Sequence, residues 1–127
     1  DVLFGDYNPA GRLSVSVPRS IGQLPVYYNP KRQGNRNRYV EESGMPRYCF
    51  GFGLSYTSFK YSDMNITINE GSNNCTINVC VKVTNTGQMA GDEVVQLYLR
   101  DEVSSYTTPA KQLRAFKRTN TFSDRRV

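Results

Sequence analysis

The chain has 127 residues, 38% of them hydrophobic and 21% charged, which suffices for one globular domain with an attached arm and excludes wholesale disorder. The net charge of +5 falls into separate basic clusters that no nucleic-acid motif connects, so we expect no nucleic-acid partner. No apolar run approaches the roughly 18 residues of a membrane-spanning helix, so we expect no membrane partner. The first residues are acidic and aromatic and do not form a signal peptide.

The first 30 residues predict an extended arm. Residues 1–11 contain a short apolar piece and then a turn-forming run of Gly, Asp, Asn and Pro. After them Leu13, Val15 and Val17 alternate with serines, which predicts a strand with one apolar face. Prolines then interrupt the chain at three positions, Pro18, Pro25 and Pro30. We therefore expect the arm to lie extended across another surface. Residues 31–49 follow as a polar, basic connector without a hydrophobic period, to which we assign no ligand.

The sequence FGFGLSYTSF, at residues 50–59, is the most distinctive segment of the chain. Its glycines free the backbone for turns or close approach to other chain, and its aromatic rings provide large apolar surfaces that require burial. We interpret its first seven residues as an interdomain junction: Phe50, Gly51, Phe52, Gly53, Leu54, Ser55 and Tyr56. Among them we expect Phe50, Phe52 and Tyr56 to be buried against the arm or the sheets that follow.

Four strands are predicted after the junction, at residues 60–69, 75–84, 94–100 and 112–119. Turns rich in Gly, Asn, Ser and Thr separate them, and strands of this length without helices predict an all-β sandwich. A complete sandwich of this kind needs about seven strands, so we expect a truncated one. Its open sheet edge favours self-association of the chain.

The three cysteines, Cys49, Cys75 and Cys80, are predicted to be free thiols. Cys75 and Cys80 lie in one predicted strand, roughly 16 Å apart at ~3.3 Å per residue, which is too far for a disulfide. Cys49 reaches that strand only if the junction folds back onto it. Because no spacing matches a zinc site, we expect no metal, and one thiol buried as a small hydrophobe.

Three blocks of the sequence resemble the β-glucosidases and β-xylosidases of glycoside hydrolase family 3. FGFGLSYT is similar to the family signature PFGYGLSYT, which leads into a C-terminal fibronectin type III-like domain. Residues 1–29, DVLFGDYNPAGRLSVSVPRSIGQLPVYYN, are similar to the end of the family's α/β-sandwich domain, and residues 83–116 are similar to the first half of the fibronectin-like domain. The sequence departs from the family at Cys49, where proline is usual, and at Phe52, where tyrosine is frequent.

The resemblance implies an all-β, fibronectin type III-like (immunoglobulin-like) sandwich, truncated, with an extended N-terminal arm from an α/β domain. It divides the chain into a tail of the α/β-sandwich domain at residues 1–30, a connector at 31–49 and a partial fibronectin type III-like domain at 50–127. It also implies a periplasmic or secreted location and a beginning inside a longer sequence.

No catalytic residue and no cofactor are expected in the chain. In the family the nucleophilic aspartate belongs to an N-terminal barrel domain, and the acid/base usually precedes the block that begins here at residue 1. Retaining glycosidases need two carboxyl groups roughly 5 Å apart across one bond, whereas neighbouring strand residues such as Asp92 and Glu93 point to opposite faces. We expect solvated charges at Asp101, Glu102 and the connector residues Glu41 and Glu42 as well. Because the chain has no histidine, His-based triads are excluded.

We therefore expect a non-catalytic C-terminal portion of a retaining β-glucosidase or β-xylosidase, which hydrolyses terminal β-D-glycosides as a whole enzyme. The chain would support the catalytic domains, and its partners would be the remaining domains of that enzyme. The alternative is a carbohydrate-binding or protein-interaction β-sandwich module that uses exposed tyrosines. Tyr106 is its most exposed candidate, whereas burial against the sandwich or against the absent domain is expected for Tyr27, Tyr28, Tyr48 and Tyr56.

Overall fold

The computed structural model describes residues 1–31, 43–71 and 74–121. A short 3-10 helix, Ile21–Gln23, precedes four strands: β1 Phe59–Glu70, β2 Cys75–Asn85, β3 Gly91–Leu99 and β4 Gln112–Thr121. All four predicted strands and the all-β class are therefore confirmed. In the described ranges there is no α-helix, and no helix there has the length and apolar character needed to cross a membrane. The interior of the predicted connector, residues 32–42, lies outside the described residues.

β1 and β2 form an antiparallel two-stranded sheet, and β3 and β4 form a second two-stranded sheet. Ile66 lies opposite Val79 and Ile68 opposite Ile77, so these four apolar side chains share one face of the first sheet. The pairing shifts between Ser62 and Asn65, where Asp63 has a φ of 53°. Such a shift lets one strand bend without ending the sheet.

The chain divides into two compact units. The first comprises Asp1–Ala10, Ser55–Glu93 and Arg118–Val127, and the second comprises Gly11–Leu54 and Val94–Lys117. The division into 1–30, 31–49 and 50–127 stays a prediction, because each compact unit combines residues from more than one of these parts.

Hydrogen-bonded polar side chains make up most of the interior of the first unit. Asn85, 7% exposed, accepts hydrogen bonds from Thr57 Oγ1 at 2.6 Å and from Gly87 N at 3.0 Å. Its Nδ2 donates to the carbonyl oxygens of Met89 at 2.8 Å and Thr121 at 3.4 Å. This one amide therefore joins the approach to β1, the turn between β2 and β3, and the end of β4. Buried groups paired in this way escape the penalty of about 1–3 kcal/mol for an unsatisfied polar group.

The strand predicted at residues 13–17 is not formed. Leu13 N donates to Phe52 O at 2.8 Å and Gly51 N donates to Leu13 O at 2.7 Å, but further along only an isolated bridge joins Val17 and Tyr48. The partner segment turns at this point, because Phe52 N donates to Cys49 O at 3.0 Å and Gly51 has a φ of 81°. A turning partner cannot supply the regular ladder that a strand needs.

All three cysteines are free and exposed, so the prediction of one buried thiol is wrong. Cys75 begins β2 and pairs with Glu70, and Cys80 pairs with Asn65 beside the register shift. Both cysteines lie in the part of the sheet formed by the end of β1 and the start of β2, where most residues of both strands are exposed. The apolar face predicted from the alternating sequence is therefore not covered there.

Candidate functional site: the aromatic segment

The aromatic segment, residues 50–56, contacts the N-terminal arm along its length. Gly51 receives a hydrogen bond at its carbonyl oxygen from Gln96 Nε2 at 3.1 Å, in addition to its backbone bond to Leu13. A Cβ at Gly51 would collide with Gln96 Oε1 and lie 2.7 Å from Tyr98 Oη. At Gly53 a Cβ would collide with Gly11 O and with the side chain of Arg12. The glycines thus permit the close approach that the sequence predicted.

The phenylalanine rings of the segment pack on tyrosines within the second unit. Phe50 stacks on Tyr28 of the arm with ring centroids 4.2 Å apart and an interplanar angle of 24°, and its backbone N donates to Ser16 Oγ at 3.2 Å. Phe52 packs on Tyr48 with centroids 5.1 Å apart. The first pair is stacked and the second is tilted, and an aromatic pair at such a distance contributes about 0.5–1.5 kcal/mol beyond the area that it buries.

Asn8 fixes the end of the segment in the first unit. Its Oδ1 accepts hydrogen bonds from Ser55 Oγ and from Tyr56 N, both at 2.9 Å, while its Nδ2 donates to Ala90 O at 3.2 Å. The hydroxyl of Tyr56 donates to Val2 O at 2.8 Å. In the sequence Asn8 is only one residue of a turn-forming run, because its partners are far away in the chain.

Burial of the segment is less than predicted. Phe50 is half-buried, but Phe52 is 39% exposed and Tyr56 is 55% exposed, so the burial prediction is wrong for these two rings. Within this chain Tyr27 and Tyr48 are exposed and Tyr28 is half-buried, so for Tyr27 and Tyr48 only burial against another domain stays a prediction. The described residues of this chain leave the outer faces of these rings uncovered. Tyr106 is 79% exposed, which confirms its predicted exposure.

Neighbouring acidic residues have diverging environments. Asp92 forms an ion pair with Arg118 and accepts a hydrogen bond from Asn120, whereas Glu93 is 7% exposed and accepts a hydrogen bond from the Tyr61 hydroxyl at 2.6 Å. They do not flank a common site, as predicted from strand geometry. In the part of the chain that the structure describes, no group of three or more His, Cys, Asp or Glu residues has a metal-binding arrangement. Glu41 and Glu42 lie outside the described residues.

Burial raises the pKa of Tyr98, and the nearby Tyr28 raises it further. Because the folded chain then keeps a proton that the unfolded chain releases near pH 10, stability contributed by Tyr98 is lost as the pH rises above about 10. We expect Tyr98→Phe to flatten the decline of unfolding free energy above this pH in urea titrations. Tyr106→Phe, at an exposed tyrosine, is the matched control, and an equal change in slope for both variants would contradict the expectation.

Two family models match the chain. Residues 1–56 match the glycosyl hydrolase family 3 C-terminal domain, and residues 93–121 match the fibronectin type III-like domain. The chain belongs to glycoside hydrolase family 3. It corresponds to the C-terminal part of the β-glucosidases and β-xylosidases, and the fibronectin type III-like class predicted for its strands is confirmed.

Curated relatives share close to half of its residues. The chain is 44% identical over 128 residues to the periplasmic beta-glucosidase of Salmonella typhimurium, with 93% of this chain and 17% of the relative covered. It is 46% identical over 121 residues to a beta-xylosidase of Formosa agariphila, and the match again covers 93% of this chain and 17% of the relative. The chain thus spans about a sixth of the length of the curated relatives it matches.

Solved structures show the same backbone. A β-glucosidase from Listeria innocua in complex with gluconolactone is similar with a TM-score of 0.86 and 35% identity, over 100% of this chain and 19% of that one. A β-glucosidase from Erythrobacter marinus is similar with a TM-score of 0.81 and 41% identity, and the match covers 94% of this chain and 16% of that one.

Proposed function

We propose that the chain is a non-catalytic supporting portion of a β-glucosidase or β-xylosidase, and that residues 50–56 are its interdomain junction. The partners are the remaining domains of that enzyme, which hydrolyses terminal β-D-glycosides with retention. The proposal includes a periplasmic or secreted location, in line with the name of the Salmonella relative. Self-association through a sheet edge stays a prediction.

The observation that carries this proposal is the distribution of apolar side chains. Among the described residues only two hydrophobic residues, Ala10 and Val83, are buried. Leu3, Phe4 and Leu54, in the arm and the junction, are 91%, 88% and 71% exposed. Covering a side chain of this size stabilises an interface by about 1.5–3 kcal/mol, so a neighbouring domain seated on these residues gains several kcal/mol.

A chimera tests the proposal. The matching segment of the Salmonella relative is replaced by this chain, and release of nitrophenol from an aryl β-glucoside is measured for the chimera, for a deletion of the segment and for the isolated chain. We expect the chimera to be active and the deletion to lose about 100-fold or more, because displacing an active-site group by ~1 Å costs about that much. The isolated chain should release no more nitrophenol than a boiled control.

Two outcomes would overturn the proposal. One is a deletion that is as active and as heat-resistant as the chimera, which would show that the segment supports nothing. The other is hydrolysis by the isolated chain. Chimeras carrying Gly51→Ala and Gly11→Ala serve as a matched pair, since only the first alters a crowded glycine of the junction.

A further inference from the structure

A cleft of about 740 Å³ opens in the second unit. Its volume lies in the range of small-molecule sites, about 300–1,000 Å³. The arm, the junction, the end of β3 and the segment before β4 all contribute to its walls. Its lining includes the aromatic side chains of Tyr27, Tyr28, Phe50 and Tyr98 and the basic side chains of Arg100 and Lys111.

Aromatic rings form one wall of the cleft, and the backbone around them is held in place. Tyr28 stacks on Phe50, while Tyr27 is 58% exposed. Next to them Gln23, only 3% exposed, donates from Nε2 to Met45 O at 2.9 Å and accepts at Oε1 from Arg19 N at 2.6 Å. The wall is therefore formed before any ligand arrives, which lowers the entropic cost of binding.

Positive charge dominates the cleft and its surroundings. Among the described residues that line it are Arg100 and Lys111, but no Asp or Glu. Lys111 Nζ lies 4.8 Å from the centroid of the Tyr98 ring, and Arg100 Nε lies 3.8 Å from Glu102 Oε1 at the exposed rim. The described residues of the second unit include eight Lys or Arg and two Asp or Glu. Those of the first unit include three Lys or Arg and six Asp or Glu. An anion is therefore attracted to this cleft.

We propose that the cleft binds a saccharide that carries a carboxylate, such as a uronic acid, with its ring on Tyr27 and Tyr28 and its carboxylate on Arg100 and Lys111. An aromatic face accommodates the C–H side of a sugar ring, which accounts for the tyrosines. The planar guanidinium of arginine matches a carboxylate with two parallel hydrogen bonds. A neutral sugar would leave both cations without a role in binding.

Calorimetric titration, at low salt, of the Salmonella chimera that carries this chain tests this binding, with the unaltered relative as the reference. The probes are digalacturonate, its dimethyl ester, which keeps both rings but removes the charges, and benzoate, which offers a carboxylate without a sugar. We expect digalacturonate to bind at least tenfold more tightly than either of the others. The expected preference follows from the charge-assisted bonds to Arg100 and Lys111.

Variants separate the contributions of the two walls. Arg100→Gln and Lys111→Gln should each weaken digalacturonate about tenfold, which corresponds to one charge-assisted bond, and leave the ester unchanged. Tyr27→Ala should weaken both sugars. Arg114→Gln, at an exposed arginine of β4 outside the cleft, is the matched control and should leave both unchanged.

Three results would overturn the inference: equal affinity for acid and ester, equal affinity for benzoate and digalacturonate, or no binding at ligand concentrations up to about 10 mM. Circular dichroism of each variant verifies that the strands are retained. Because binding is measured as heat and not as hydrolysis, its failure is distinct from a loss of activity in the chimera.

Discussion

Gly51→Ala is expected to lower the free energy of unfolding by about 2–5 kcal/mol. The φ of Gly51 is 81°, and placing a residue with a Cβ in the left-handed region costs about 1–2 kcal/mol. The new methyl group would also collide with Gln96 Oε1, which accepts a hydrogen bond from the Tyr98 hydroxyl at 2.6 Å, while Gln96 Nε2 holds Gly51 O. Since both polar groups are tied, relief requires a broken hydrogen bond or a backbone shift, each worth about 1–3 kcal/mol.

Gly11→Ala is the matched control for this effect. Gly11 lies in the same unit, its φ is not in the left-handed region, and a Cβ there meets no atom within 4 Å. Urea unfolding monitored by tyrosine fluorescence should show a change within about 0.5 kcal/mol for this variant. Equal stability of the two variants would contradict the close approach at Gly51.

Asn8→Ala is expected to destabilise the chain by about 3 kcal/mol. Asn8 is 5% exposed, and truncation leaves Ser55 Oγ, Tyr56 N and Ala90 O without their partner. An unsatisfied buried polar group costs about 1–3 kcal/mol, and partial access of water to the hydroxyl reduces the sum. The same variant should loosen the arm from the aromatic segment, because these two bonds join Asn8 to Ser55 and Tyr56. Those residues follow Asn8 in the chain by 47 and 48 positions.

Asn8→Asp distinguishes lost acceptance from lost donation. The carboxylate keeps the acceptor for Ser55 and Tyr56 but gives up the donor to Ala90 O, so we expect an intermediate loss of stability. Asn78→Ala, at an exposed asparagine of β2, is the control and should change little. Amide hydrogen exchange at Tyr56 is the site-specific measurement, and unchanged protection in Asn8→Ala would sink the expectation.

Together these residues explain how each part of the exposed aromatic segment is held within its own compact unit. Gly51 and Gly53 bring the backbone against Gln96 and the arm, and Asn8 closes the far end. The rings of Phe52 and Tyr56 remain available on the outside. This arrangement suits a surface that another domain covers, since a preordered segment pays less conformational entropy when the interface forms.

The sequence by itself determined the four strands, because alternation of apolar and polar residues is a local property with a period of two. It also determined the family, through the segment FGFGLSYT and the blocks on either side. For the same local reason it predicted the opposite orientations of Asp92 and Glu93.

Only the tertiary structure decided the rest, because it depends on pairs of residues far apart in the chain. Asn8 reaches Ala90 across 82 positions, and Gln96 reaches Gly51 across 45, and no local pattern announces either contact. The alternation at residues 13–17 failed as a strand because its partner turns at Gly51. Exposure of Phe52 and Tyr56 was misjudged for a related reason: hydrophobicity states that a ring is better buried, but only packing determines which surface covers it.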